Sequence, residues 1–143
     1  MPLAASNLAD PAIDPKAAHV AAQWKHGRPI ISCRFDPAGE YLFATSEDNH
    51  VVRWEVATGK KVVMPGHETW ARGIAFSADG KTVVTSGYDD RLIWWNARDE
   101  QPKPVRTVVA HEGWIRTIAV SPDGKWLVSG ANDRLLKLWD LKE

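Results

Sequence analysis

A single cysteine, Cys33, stands in this 143-residue chain, so no intrachain disulfide framework can hold it together. Neither sign of charge prevails, since 18 basic residues face 18 acidic ones. Without a basic stripe, nucleic acid is not an expected partner, and without an acidic run there is no solvating tail. No apolar run reaches membrane-spanning length, so no membrane partner is expected either. Residues 1–18 lack the basic start and apolar centre of a signal peptide. They read instead as a Pro/Ala-rich, poorly ordered lead-in. A cytoplasmic location is favoured over export, which a removed leader would still allow. The short motifs of catalysis are missing too: there is no G-x-S-x-G, no P-loop, no Gly-rich dinucleotide turn and no His-x3-His pair. No catalytic residue, metal site or cofactor is expected.

What the chain does have is tryptophan, eight in all, and a repeat. A His is followed 22 residues later by an Asp and 6 residues after that by a Trp, three times over: His26–Asp48–Trp54, His67–Asp89–Trp95 and His111–Asp133–Trp139. The spacing within a set is constant, while the connectors differ, with 13 residues from Trp54 to His67 and 16 from Trp95 to His111. A rigid unit with elastic joints is one supersecondary element copied along a chain. The second and third copies share 14 of the 29 positions between His and Trp.

Each copy reads as short strands, with no helical period past residue 22. The first strand falls at 30–35, 71–76 and 115–120, the second at 41–46, 82–87 and 126–130, and the third at 51–55, 92–96 and 135–140. Between the first two lie Asp36-Pro37-Ala38-Gly39, Ser77-Ala78-Asp79-Gly80 and Ser121-Pro122-Asp123-Gly124. Pro presets a turn dihedral and Gly tolerates positive φ, so these are hairpin turns. A fourth strand at 60–64 and 105–109 precedes the next His. Four strands in roughly 40–45 residues match one blade of a propeller.

With Gly66-His67 and Ala110-His111 opening the copies and Trp139-Asp140 closing one, the sequence resembles the WD-repeat β-propeller family over residues 19–143. Trp54-Glu55 and Trp95-Asn96 are variants of the closing pair. The resemblance implies an all-β fold of four-stranded antiparallel blades, three per chain. It also implies a Ser or Thr on the second strand that joins His, Asp and Trp in a hydrogen-bonded network. Thr85 and Ser129 match that position, whereas the first copy has Ala44 and an incomplete network. Its blades are expected at 26–66, 67–110 and 111–143, the last lacking its outer strand.

The segment 19–25 precedes His26 as 105–110 precedes His111, and so reads as a spare outer strand. The resemblance makes it a latch, with Val20 and Trp24 as its anchors. Three blades cannot close a ring that typically needs about four to eight. An open arc would expose faces built for burial. The expected partner is therefore a second copy of the chain, two giving six blades or three giving nine, joined head to tail. The alternative is a piece of a longer propeller.

Five histidines do not make a metal site, since three are committed to separate frames. Cys33 aligns with Ile74 and Ile118 and reads as a core thiol. Trp94 and Trp126 are expected between blades. The resemblance places a binding rim near the channel, at residues just after the His and just before the Asp. Those positions hold Trp70, Arg72 and Tyr88 in copy two and Trp114, Arg116 and Asn132 in copy three, against Pro29, Ile31 and Glu47 in copy one. Aromatics and Arg concentrate binding energy. The reading is a non-catalytic scaffold for a protein or peptide, with a glycan or small ligand as the second class. The same residues also suit plain repeat consensus, each Arg pairing with an Asp or Glu of the next blade.

Overall fold

The computed structural model describes residues 13–142. Two sheets have four strands in sequence order: β1 (Ile30–Phe35), β2 (Tyr41–Ser46), β3 (His50–Glu55) and β4 (Lys61–Pro65), then β5 (Ala71–Phe76), β6 (Thr82–Gly87), β7 (Arg91–Asn96) and β8 (Pro104–Val109). The third has three: β9 (Ile115–Val120), β10 (Trp126–Ala131) and β11 (Leu136–Asp140). All pairings are antiparallel. The hairpin turns form on their glycines, with Gly39, Gly80 and Gly124 at φ 71°, 68° and 70°. Their amides donate to the carbonyls of Asp36, Ser77 and Ser121, each at 2.9 Å.

Adjacent residues on a strand face opposite ways, and here both ways are inward. Val83 packs towards the first blade, with Phe43, Val51, Met64 and Trp95. Val84 packs towards the third, with Leu92, Ile115, Ile118 and Leu127. The middle blade is thus buried on both faces, and β6 is buried from Val83 to Gly87. Two apolar seams, one per blade–blade contact, form the core.

The end blades each keep one face open. Ile30 is 48% exposed, whereas Ala71 and Ile115, its counterparts in the other copies, are 0%. At the far end Leu136 is 77% exposed against 0% for its counterparts Val51 and Leu92. This corrects two expectations. Cys33 is exposed rather than a core thiol, because its side of the first blade has no blade against it. Trp126 is also well exposed, on the open side of the third blade. Trp94 alone packs into a seam as expected, partly buried against the second cluster.

Residues 19–25 form no strand in the single chain. An outer strand needs a ladder to join, and this one's expected partner strand lies on another copy. Val20 is 80% exposed. Trp24 packs instead on the open face of its own first blade, against Ala44, Val52 and Trp54. The expected lead-in falls largely outside the described residues; within it Pro15–Ala17 form a 3-10 turn capped by Asp14, whose carboxylate accepts from the Lys16 amide at 2.9 Å.

Candidate functional site

In the second copy the expected network closes. Trp95 Nε1–H donates to Thr85 Oγ1 at 2.9 Å, and the Thr85 hydroxyl donates to His67 Nε2 at 2.9 Å. His67 Nδ1–H donates to Asp89 Oδ2 at 2.9 Å, and Asp89 also accepts from the amides of Glu68 and Arg91. Burial works to raise the Asp89 carboxyl, but the His67 hydrogen bond, with the two amides, outweighs it and holds it below the usual range. The third copy repeats the relay: Trp139 to Ser129 at 2.9 Å, Ser129 to His111 at 2.7 Å, and His111 to Asp133 at 2.7 Å. Every polar atom of these buried relays has a partner, which makes them braces between the blade's entry loop and its middle strands.

The first copy is rewired. Without a hydroxyl at Ala44, His26 meets Asp48 through Nε2 at 2.8 Å, and its buried Nδ1 has no partner. Ser46 donates to Asp48 instead. His26 stands edge-on to Trp54, with ring centroids 6.4 Å apart. The half-buried His50 ring lies 3.4 Å from the same carboxylate. Ala44→Thr should supply both missing bonds, to His26 and to the Trp54 indole. We expect a gain of about 1 kcal/mol in urea unfolding. Ala44→Val adds bulk without the hydroxyl and should give none; an equal gain from Val would show that packing, not the relay, was limiting.

The rim residues are brought together by the same frame. Backbone bonds run from Tyr88 N to Trp70 O at 2.9 Å and from Asn132 N to Trp114 O at 3.0 Å, matching Glu47 N to Pro29 O at 3.1 Å. Each bond ties the residue just before the Asp to the one three after the His. The side chains then stack across two blades. Trp70 and Tyr88 have centroids 6.1 Å apart at 28°, and Tyr88 and Trp114 lie 4.6 Å apart at 8°. Arg116 covers Tyr88 and Trp114 at 5.1 and 5.2 Å from their ring centroids. Its Nε donates to Asn132 Oδ1 at 2.9 Å and its Nη1 to the Tyr88 hydroxyl at 2.8 Å. Arg72 Nε donates to the Arg116 carbonyl at 3.2 Å. Glu47, on the first blade, stays outside this cluster, and neither arginine forms the expected pair with a neighbouring carboxylate among the described residues.

Sequence reasoning missed a second cluster. Tyr41 lies between two guanidiniums, Arg53 at 5.0 Å and Arg98 at 4.6 Å. Arg53, buried, donates to the Ala97 carbonyl at 2.7 Å and reaches Glu100 at 3.4 Å. Arg98 reaches Asp36 at 3.2 Å and Glu40 at 2.6 Å. The connector after β7 thus clasps the first blade from below. The signal was there: Arg53 is a charged residue at the place of Trp94 and Leu138. Between the second and third blades the matching groove is a cavity of about 830 Å³ lined by Trp94, Arg106 and Trp139. Among the described residues no group of three His, Cys, Asp or Glu is placed to hold a metal. None of their helices is long and apolar enough to cross a membrane.

Antiparallel blades in chain order, each carrying a His, an Asp and a Trp at fixed spacing, define a repeat of the propeller class. The family model described as "WD domain, G-beta repeat" matches residues 20–55, 59–96 and 102–140, and the chain belongs to that WD-repeat family. Among curated proteins it is similar to "Nuclear distribution protein nudF" of Emericella nidulans, 32% identical over 81 residues, which cover 54% of this chain and 18% of that one. It is also similar to "Ribosome assembly protein 4" of Chaetomium thermophilum, 38% identical over 58 residues, covering 39% of this chain and 11% of that protein. A third relative is a "Coronin-like protein" of Saccharomyces cerevisiae, 31% identical over 77 residues, covering 53% and 12%. The chain thus spans less than a fifth of the length of these relatives. Two solved structures, of U3-55K and of the RRP9 WD40 repeats, superpose with TM-scores of 0.76 at 24% identity, covering 82% of this chain and 38% and 37% of theirs. They bear on the fold alone.

Proposed function

We propose that this chain is a non-catalytic interaction scaffold that binds a protein or peptide across the channel rim. The observation that carries this is the Trp70–Tyr88–Trp114 ladder, whose outer tryptophans are 43% and 47% exposed. Exposed Trp is costly alone and effective as an anchor, and here a fixed Arg lies over the stack. The named relatives fit a binding role, as none carries an enzyme's name. Peptide-array binding should be lost in Trp70→Ala and kept in a variant of the far edge such as Lys61→Ala. Array binding that survives Trp70→Ala and Trp114→Ala would move the site elsewhere, and hits confined to a glycan array would favour the second ligand class.

The open faces at Ile30 and Leu136 support a ring completed by another copy, a dimer of six blades or a trimer of nine. In such a ring the partner's last blade would lie on the face that Trp24 now covers, placing Val20 and Trp24 at the joint as its latch. The competing reading, blades within a longer propeller, is favoured by the small share of each relative that the chain spans. Solution mass decides between them. Light scattering should give a multiple of 15.9 kDa that falls on dilution sooner in Trp24→Ala than in Trp70→Ala. A soluble monomer at all concentrations rules out the ring of copies.

A further inference from the structure

Resting on the rim reading above, we infer that the ligand of this surface is an acidic peptide segment, with Asp or Glu side chains held by Arg72 and Arg116. Arg53, Arg91 and Arg98 each meet a carboxylate: Glu100, Glu68 and the pair Asp36 and Glu40. Among the described residues Arg116 meets neutral oxygens only, the Asn132 amide and the Tyr88 hydroxyl, and Arg72 a backbone carbonyl. These contacts use Nε and one terminal nitrogen of Arg116, and Nε alone of Arg72. Among the described residues the remaining donors form no bond, and no ion pair compensates the two charges.

The guanidinium of Arg116 is held in place before any ligand arrives. Two hydrogen bonds and two aromatic faces fix its plane, so little side-chain entropy is left to lose on binding. A planar fork of N–H groups suits a carboxylate in a way that a lysine ammonium does not. Trp70 and Trp114 flank Tyr88, beneath the fork, and offer exposed ring surface to the rest of the peptide. A cationic ligand is the wrong sign. Aromatic surface of this kind can hold an ammonium group, but Arg116 already lies over Tyr88 and Trp114 and would repel it.

The test is titration of the whole chain with synthetic peptides of equal length, one rich in Glu and Asp, one rich in Lys and one uncharged. The acidic peptide should bind, more weakly as salt rises. Arg116→Gln should weaken it about ten-fold, in the range for losing a charge-assisted pair at an interface. Arg116→Lys, which keeps the charge and loses the fork, should fall between. Thermal melts of these rim variants should match the parent chain, which separates lost binding from lost fold. Preference for the Lys-rich peptide, or unchanged acidic affinity in Arg116→Gln, would overturn the inference. Binding of all three peptides that Trp114→Ala abolishes but Arg116→Gln does not would keep the rim as a scaffold and remove its acidic preference. No binding by any peptide would remove both.

Discussion

Thr85→Val should destabilise the chain by about 3 kcal/mol, although it changes shape hardly at all. The hydroxyl it deletes has zero exposure and serves two buried neighbours, accepting from Trp95 Nε1 at 2.9 Å and donating to His67 Nε2 at 2.9 Å. Valine offers neither. Each orphaned buried group costs about 1–3 kcal/mol, because it has given up water and received nothing in return. The far side of the relay suffers as well, since His67 loses one of the contacts that fix its ring against Asp89. Urea unfolding is the measurement, with unchanged slope and a lower midpoint. A loss below about 0.5 kcal/mol, the ordinary scatter of surface substitutions, would mean that the relay adds nothing to blade stability. Ser129→Ala deletes the same hydroxyl in the third copy and should cost less. Trp139 is only partly buried there, so water can reach a site that it cannot reach at Trp95.

The relay was legible in the sequence because its parts are separated by fixed numbers of residues within one rigid unit. Strand bounds came within a residue or so for the same reason: turn glycines and alternating apolar residues are local signals. What the repeat could not show was which faces have neighbours. Cys33 aligns with Ile74 and Ile118, which are buried, yet alignment equates positions within a blade and not the blades that flank them. The segment 19–25 has no ladder within the single chain, and its strand character depends on one supplied from outside. The Arg53–Tyr41–Arg98 clasp was hidden for the opposite reason. It is built from the connector and from residues on which the copies differ, so consensus reading discards it. At the rim, the frame brought Trp70, Tyr88, Trp114, Arg116 and Asn132 together through bonds that the spacing implied. The stacking order and the unpaired arginines needed side-chain geometry.

The three framework tryptophans are one residue in sequence terms, and the structure makes them three different experiments. Trp95 has zero exposure and sits in the seam with Phe43, Val51 and Met64. A Cβ on Gly66 would come within 2.6 Å of its ring, so the first blade presses directly on it. Trp95→Ala should therefore cost about 3–5 kcal/mol, the range for emptying an aromatic site in a packed core. That is a large part of the roughly 5–15 kcal/mol that holds an ordinary domain folded. Trp139→Ala, at the edge of the second seam beside an open face, should cost about half as much, by the smaller area it buries. Trp54 is covered on its outer side by Trp24, so Trp54→Ala should fall between them and lose part of its effect in a Trp24→Ala background. A stack of repeats in which each unit is stabilised by its neighbours predicts this order, middle above ends. If urea unfolding gave equal losses for Trp95→Ala and Trp139→Ala, the third blade would have to be as enclosed as the second. In that case its open face would be covered in solution, which is the outcome that a ring of copies requires.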